Sequence, residues 1–187
     1  MQIETTKLEG VVVITPRRFG DERGFFSETW NKRLLAEHGL NFPDFVQDNH
    51  SHSSQSGTVR GLHYQSPPHA QDKLVRCSRG SIFDVAVDVR ADSATYGDWY
   101  GRELSFINGE QLWIPAGFLH GFMTLEPDSE IVYKCTDYYD PDSDGAVRWD
   151  SCGINWPKNS ASDAISKKDS EAQPFSSFKT PFPGKEY

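Results

Sequence analysis

Apolar and polar residues alternate along this chain in short runs broken by glycine, proline and aspartate, the period-two pattern of half-buried strands. Val11–Thr15, bounded by Gly10 and Pro16, reads as a β-branched strand. Residues 19–30 begin as a turn and continue as a strand in which Phe26 and Glu28 share a face. Asn31 is placed to cap a short helix running to Glu37 or His38, with Gly39 as its stop. Phe45–His52 is a strand that turns polar as it leaves the core. Ser81–Val89 gives the clearest alternation: Phe83, Val85, Val87 and Val89 are expected to face the core, and Ile82, Asp84, Ala86 and Asp88 the other side. Trp99–Phe106, Gln111–Ile114, Phe122–Leu125 and Glu130–Thr136 supply further strands. So many strands with hardly any helix between them predict an all-β barrel or sandwich.

The pattern is most informative around Thr58–Gln65 and Lys73–Cys77. As strands, these put His63 and Gln65 on one side and Leu62 and Tyr64 on the other. Gly61 is where a bulge can form, bringing Arg60 round to the face of His63 against the parity of a regular strand. This face is expected to line a pocket in which His63 is a base and the cations Arg60 and Lys73 hold an anion. Asp84 either orients a histidine or is satisfied by backbone donors. Tyr133 carries the one polar tip on a face shared with Ile131 and Cys135, and by itself reads as a core tyrosine with its hydroxyl at the rim. His50 and His52 form an HxH pair, but flanking serines and the lack of a following glutamate make them solvated histidines rather than metal ligands.

Composition narrows the function. At 187 residues the chain suits a single domain spanning 1–187, and 12 Phe, 7 Tyr and 5 Trp suit a barrel interior. A net charge of −8 excludes a general nucleic-acid surface but leaves room for a locally basic pocket that takes a nucleotide-bearing small molecule. Three cysteines without CxxC spacing give neither a disulfide framework nor a zinc ribbon. No run approaches the ~20 apolar residues of a membrane span and no signal-peptide core is evident, so a cytoplasmic protein is expected. Residues 158–187 are polar and proline-bearing and read as a C-terminal tail, with at most a helical turn near Ala161–Lys168.

Pro115-x-Gly117-x-x-His120 resembles the second motif of the cupin superfamily, which implies a double-stranded β-helix, a jelly roll with short peripheral helices. The first cupin motif supplies two histidines as HxH, whereas His63 here is followed by Tyr64 and Gln65; that departure argues against a metal site. Phe19–Phe26, Phe45–Ser51, Arg60–His63, Lys73–Cys77, Trp113–Phe122 and Tyr133-Lys134 together resemble the dTDP-4-dehydrorhamnose 3,5-epimerase family, in order, from about residue 3 to about residue 175. The resemblance implies a homodimeric, cofactor-free enzyme that converts dTDP-4-dehydro-6-deoxy-D-glucose into dTDP-4-dehydro-L-rhamnose. It makes His63 the proton-abstracting base, Tyr133 the proton donor, Asp169 the carboxylate paired with the base, and Lys73 the residue beside the sugar carbonyl. Arg23, Glu28, Gln47, Asp48, Asn49, Arg60, His120 and Lys168 match substrate contacts. Asp144 stands where the family often has Glu, and Tyr64 where it usually has Phe.

The chemistry suits these types. A hydrogen beside a ketone yields to an imidazole only if the enolate is stabilised as it forms, which an ammonium in a dry pocket does. Either Asp169 or Asp84 would fix the tautomer of His63, and the resemblance favours Asp169. Guanidinium forks at Arg23 and Arg60 suit a diphosphate. Phe26 offers stacking to thymine, with hydrogen bonds from Glu28 or the Gln47–Asn49 segment. The competing readings are a C3-only epimerase on a related dTDP-keto-sugar, a metal-dependent cupin using His63, His120 and His50 or His52, and a non-catalytic sugar-nucleotide binder.

Overall fold

The alternating runs form two antiparallel sheets that face one another, seen in a computed structural model describing residues 1–157 and 164–183. In chain order the strands are β1 (Gln2–Thr5), β2 (Val12–Thr15), β3 (Arg18–Asp21), β4 (Gly24–Ser27), β5 (Gln47–Ser53), β6 (Val59–Gln65), β7 (Lys73–Arg79), β8 (Ser81–Asp88), β9 (Trp99–Ser105), β10 (Gln111–Ile114), β11 (Phe118–Thr124), β12 (Ser129–Cys135) and β13 (Asp144–Ala146). Helices α1 (Lys32–Glu37) and α2 (Lys167–Ser170) and a 3₁₀ turn at Phe175–Ser177 are peripheral. One sheet runs β1-β2-β10-β7-β12-β5, the other β13-β6-β11-β8-β9, and β3-β4 is a separate hairpin. This is the jelly roll that the sequence implies.

Between the sheets Val13, Val75, Leu112, Ile114 and Ile131 from one layer meet Ile82, Ala86, Leu104, Phe118 and Phe122 from the other. The alternation in β8 is as expected, but the assignment of its faces is corrected. Ile82 and Ala86 point between the sheets with Asp84, while Val85, Val87 and Val89 pack outside against Phe178 and Phe182. Both faces of β8 are buried, so hydrophobicity alone does not tell inside from outside.

That outer layer also corrects the expectation of a polar C-terminal tail. Phe182 is 1% exposed, and Tyr64 meets the rings of Phe178 and Phe182 edge-on at 5.5 and 6.1 Å. Ile165 bridges Val59 and Gln173 bridges Val147, tying the segment to β6 and to the chain just after β13. The helical turn lies at Lys167–Ser170, capped by Ser166, whose hydroxyl accepts the Asp169 N–H. Of the turn expected near 161–168, residues 161–163 lie outside the described residues.

Two local expectations hold. Asn31 caps α1 by accepting the Leu34 N–H at 3.0 Å, and Gly39 follows with φ +82°. In β6 the ladder to β11 slips: His63 pairs with His120 and Arg60 with Phe122, three residues against two. That is a β-bulge, and it turns Arg60 to the side of His63. Only glycine fits at 61, where φ is +121° and a Cβ would lie 2.7 Å from Gly121 Cα and 2.8 Å from the His120 carbonyl oxygen.

Candidate active site

Residues paired across antiparallel strands point to the same face, so the register assembles the site. On one sheet the inward rungs read Gln47–Cys135–Lys73 and Asn49–Tyr133–Val75 across β5, β12 and β7. On the other, His63 stands opposite His120. A cavity of about 580 Å³ opens between the sheets, lined by Arg60, His63 and His120 from one side, Lys73 and Tyr133 from the other, and Lys168 and Asp169 of α2 at its margin. A smaller adjoining cavity of about 200 Å³ shares His63, Lys73, Tyr133 and Lys168 and adds Gln47, Asn49, Tyr139 and Asp144.

His63 Nε2 lies 2.6 Å from Asp169 Oδ1, and Asp169 Oδ2 accepts the Gly61 N–H at 3.3 Å. The side chain of Asp169 is almost wholly buried. Burial pushes its carboxyl up, but the bond and charge of His63 and the donors of Gly61 and Ser166 outweigh this and leave it below the ordinary carboxylate value. An ionised carboxylate on Nε2 keeps the ring proton there and leaves Nδ1 as the basic nitrogen. The open choice between Asp84 and Asp169 is thereby resolved in geometry: fully buried Asp84 holds His120 instead, Oδ1 to Nε2 at 2.8 Å.

Lys73 is half-buried and its ammonium has no hydrogen-bond or ion-pair partner among the described residues. Burial holds it below the ordinary lysine value, with Cys135, Asp144 and Asp84 pulling it back up. A desolvated cation without a partner is primed for an oxygen that gains negative charge. Tyr133 is also half-buried; burial and the nearby Cys135 raise its hydroxyl above the ordinary tyrosine value, against the pull of Arg60, so it stays a proton donor at neutral pH.

The remaining expected contacts divide. Arg60 lines the large cavity and donates to Ser53 Oγ (3.2 Å) and the His52 carbonyl (3.0 Å). Gln47 and Asn49 face inward, their amides joined at 3.0 Å, with Gln47 also accepting the Tyr139 N–H. Asp144 accepts from Lys168 and from the Tyr139 hydroxyl at the cavity margin. Asp48, between Gln47 and Asn49, takes the opposite face by strand parity and sits 3.5 Å from Lys134 on the outside of the sheet. Arg23 and Phe26 stand on the β3-β4 hairpin, Arg23 paired with Asp21 and Phe26 69% exposed. Glu28 follows that hairpin and accepts from Asn31 at 2.8 Å. None of Arg23, Phe26 and Glu28 lines the cavity of its own chain. His50 and His52 face outward, within 3.2 and 3.3 Å of Glu130 and Asp128, and no three His, Cys, Asp or Glu converge as a metal site among the described residues. Sequence reasoning missed the serine-rich rim at Ser51, Ser53 and Ser54, which read only as a solvated loop, and Tyr139, whose loop gave no periodic signal.

Comparison with known proteins shows the family to which the chain belongs. A sequence profile described as dTDP-4-dehydrorhamnose 3,5-epimerase matches residues 5–177. The dTDP-4-dehydrorhamnose 3,5-epimerase of Sinorhizobium fredii is 52% identical over 176 residues, covering 91% of this chain and 87% of the relative. That of Escherichia coli is 50% identical over 163 residues, covering 86% and 87%. Among solved structures, the 3,5-epimerase of Legionella pneumophila in complex with dTDP-4-keto-L-rhamnose superposes with a TM-score of 0.92 at 40% identity, covering 100% of this chain and 99% of that one. The chain, with its paired His63 and Asp169 facing Lys73 and Tyr133, belongs to the dTDP-4-dehydrorhamnose 3,5-epimerase family.

Proposed function

We propose that this protein is a cofactor-independent isomerase, a single catalytic domain that epimerises dTDP-4-dehydro-6-deoxy-D-glucose at C3 and C5 to dTDP-4-dehydro-L-rhamnose. The observation that carries the reading is one cavity holding an oriented imidazole on one sheet and an unpartnered ammonium on the other. Nδ1 of His63 removes the proton at C3 or C5, each next to the C4 ketone. Lys73 holds the C4 oxygen as it becomes an enolate. Tyr133, carried by the opposite sheet, returns a proton to the other side of the carbon, which inverts the centre. Because C3 and C5 flank the same carbonyl, one base, one cation and one acid serve both if the ring moves between steps. Arg60 faces the diphosphate, and Tyr139 at the margin offers the thymine an aromatic face.

The protein works as a homodimer in this reading. Arg23 and Glu28 match substrate contacts in the family and Phe26 offers stacking to thymine, yet all three stand away from their own cavity, and the hairpin that carries Arg23 and Phe26 presents Phe19, Phe25 and Phe26 with exposed Phe106 and Ile107 close by. A second copy reconciles the two by taking this hairpin over its cavity. Cys77, Cys135 and Cys152 are free thiols, which suits the reducing cytoplasm. The test is to incubate the keto-sugar nucleotide with the protein in heavy water and follow C3 and C5 by NMR. Deuterium at both carbons with formation of the L-sugar supports the reading. Deuterium at C3 alone makes the protein a C3 epimerase, and none at either carbon leaves a sugar-nucleotide binder.

A further inference from the structure

We propose that Asp72 is a positioning residue for this reaction: its carboxylate clamps the ends of β10 and β12 to the start of β7 and thereby fixes where Lys73 stands. The inference rests on the epimerase reading above. It begins from the ammonium of Lys73, which has no partner among the described residues. A side chain whose head group makes no hydrogen bond or ion pair among the described residues takes its place chiefly from the backbone that carries it and from the walls around it. Lys73 opens β7 and pairs with Ile114 and Cys135, the last residues of β10 and β12. Immediately beyond that rung, Asp72 Oδ1 accepts the Ala116 N–H at 2.7 Å and Oδ2 accepts the Thr136 hydroxyl at 3.1 Å. The Asp72 N–H donates to Thr136 Oγ at 2.9 Å, and the Thr136 N–H to the Asp72 carbonyl at 3.2 Å. One residue therefore locks three segments: the chain entering β7 with Lys73, the chain leaving β12 three residues after Tyr133, and the turn that leads into β11 and His120.

The charge on this carboxylate adds no stability of its own at neutral pH. Burial raises its pKa above the ordinary aspartate value, opposed by the Ala116 and Thr136 donors. A carboxyl with a raised native pKa adds stability at low pH and loses it as pH rises through that value, so at neutral pH the fold carries this charge at a cost. Groups kept against stability are expected where geometry serves function. The donors facing Asp72, the Ala116 N–H and the Thr136 hydroxyl, are uncharged. The groups whose charge acts on Lys73 are Cys135 on β12, Asp84 on β8 and Asp144 on β13, and the cavity walls around it add His63, Tyr133 and Lys168.

The experiment compares Asp72→Asn, Thr136→Val and Thr136→Ser in the full-length protein. It measures kcat, KM, the melting temperature and the titration of Lys73, read from ¹³C-dimethylated lysines and assigned with Lys73→Arg. Asp72→Asn and Thr136→Val should each lower kcat on the order of ten-fold, the scale of one or two lost hydrogen bonds, with KM within about two-fold. Thr136→Ser should stay within about two-fold of the wild type, Asp72→Asn should melt no lower, and Lys73 should titrate at higher pH in Asp72→Asn as the loosened strand admits water. Unchanged kcat in both variants, an equal loss in Thr136→Ser, a melting temperature of Asp72→Asn that falls together with its activity, or an unchanged Lys73 titration overturns the proposal. A wild type that exchanges no deuterium overturns the epimerase reading instead, and the lysine titration then still decides the clamp.

Discussion

Replacing Asp169 by asparagine keeps the shape of the residue and removes its charge, so it isolates what the carboxylate does for His63. Two donors converge on the carboxylate, the His63 Nε2–H at 2.6 Å and the Gly61 N–H at 3.3 Å. An amide has one acceptor. If its oxygen stays with Gly61, its NH₂ faces Nε2 and favours the tautomer with the ring proton on Nδ1, the atom that must be bare to act as base. If its oxygen stays with His63, the NH₂ opposes the Gly61 N–H at a buried position. Either arrangement loses a charge-assisted bond worth about 1.5–3 kcal/mol. At 1.36 kcal/mol per decade this lowers kcat by about 10- to 150-fold, and the wrong tautomer puts the expected value near the upper end. The assay is deuterium incorporation at C3 under saturating substrate, which reads proton abstraction whether or not the centre is inverted. A variant that keeps more than about a third of the wild-type exchange rate would refute the orienting role of Asp169.

Three further outcomes follow from the same geometry. Tyr133→Phe leaves abstraction by His63 in place, so deuterium exchange continues while correct inversion at C5 is impaired; NMR of the product distinguishes the two, and normal yield of the L-sugar would contradict the assignment. Lys73→Met keeps most of the side chain's length and removes the cation, and should lower kcat on the order of 100- to 1,000-fold; a fall smaller than about ten-fold would place the enolate elsewhere. Asp169, whose native pKa lies below the ordinary 3.8, contributes stability that is present above that value and lost as pH falls through the native one. Denaturant titrations should therefore show the wild type more stable than Asp169→Asn at pH 7 and the gap narrowing below pH 3.8; a gap independent of pH would contradict the charge argument.

The candidate site was more legible than its surroundings because most of its residues lie on strands, whose side chains alternate between two faces. Strand parity pointed to His63 and Lys73, the roles of Tyr133 and Asn49 came from the family resemblance, and Gly61 between Arg60 and Leu62 marked the bulge that recruits Arg60. The faces of β8 were not legible, because a strand buried on both sides offers no polar face to orient it. The packing of residues 164–183 was hidden because Phe175, Phe178 and Phe182 are isolated apolar residues in a polar, proline-bearing stretch with no period. The pairing of Asp169 with His63 spans 106 residues, and within the chain only the family resemblance pointed to it. Composition likewise does not tell that Phe26 and Arg23 belong to an exposed hairpin instead of the cavity wall, since an aromatic and a cation on a strand suit either place.

The account stands on His63 as the group that lifts a carbon-bound proton. Its most direct test is solvent deuterium incorporation into dTDP-4-dehydro-6-deoxy-D-glucose by His63→Ala beside the wild type, with folding of the variant checked by circular dichroism. Incorporation at C3 and C5 by the wild type and at neither carbon by the variant is the expected result. Incorporation by a folded His63→Ala at the wild-type rate at either carbon would show that another group is the base.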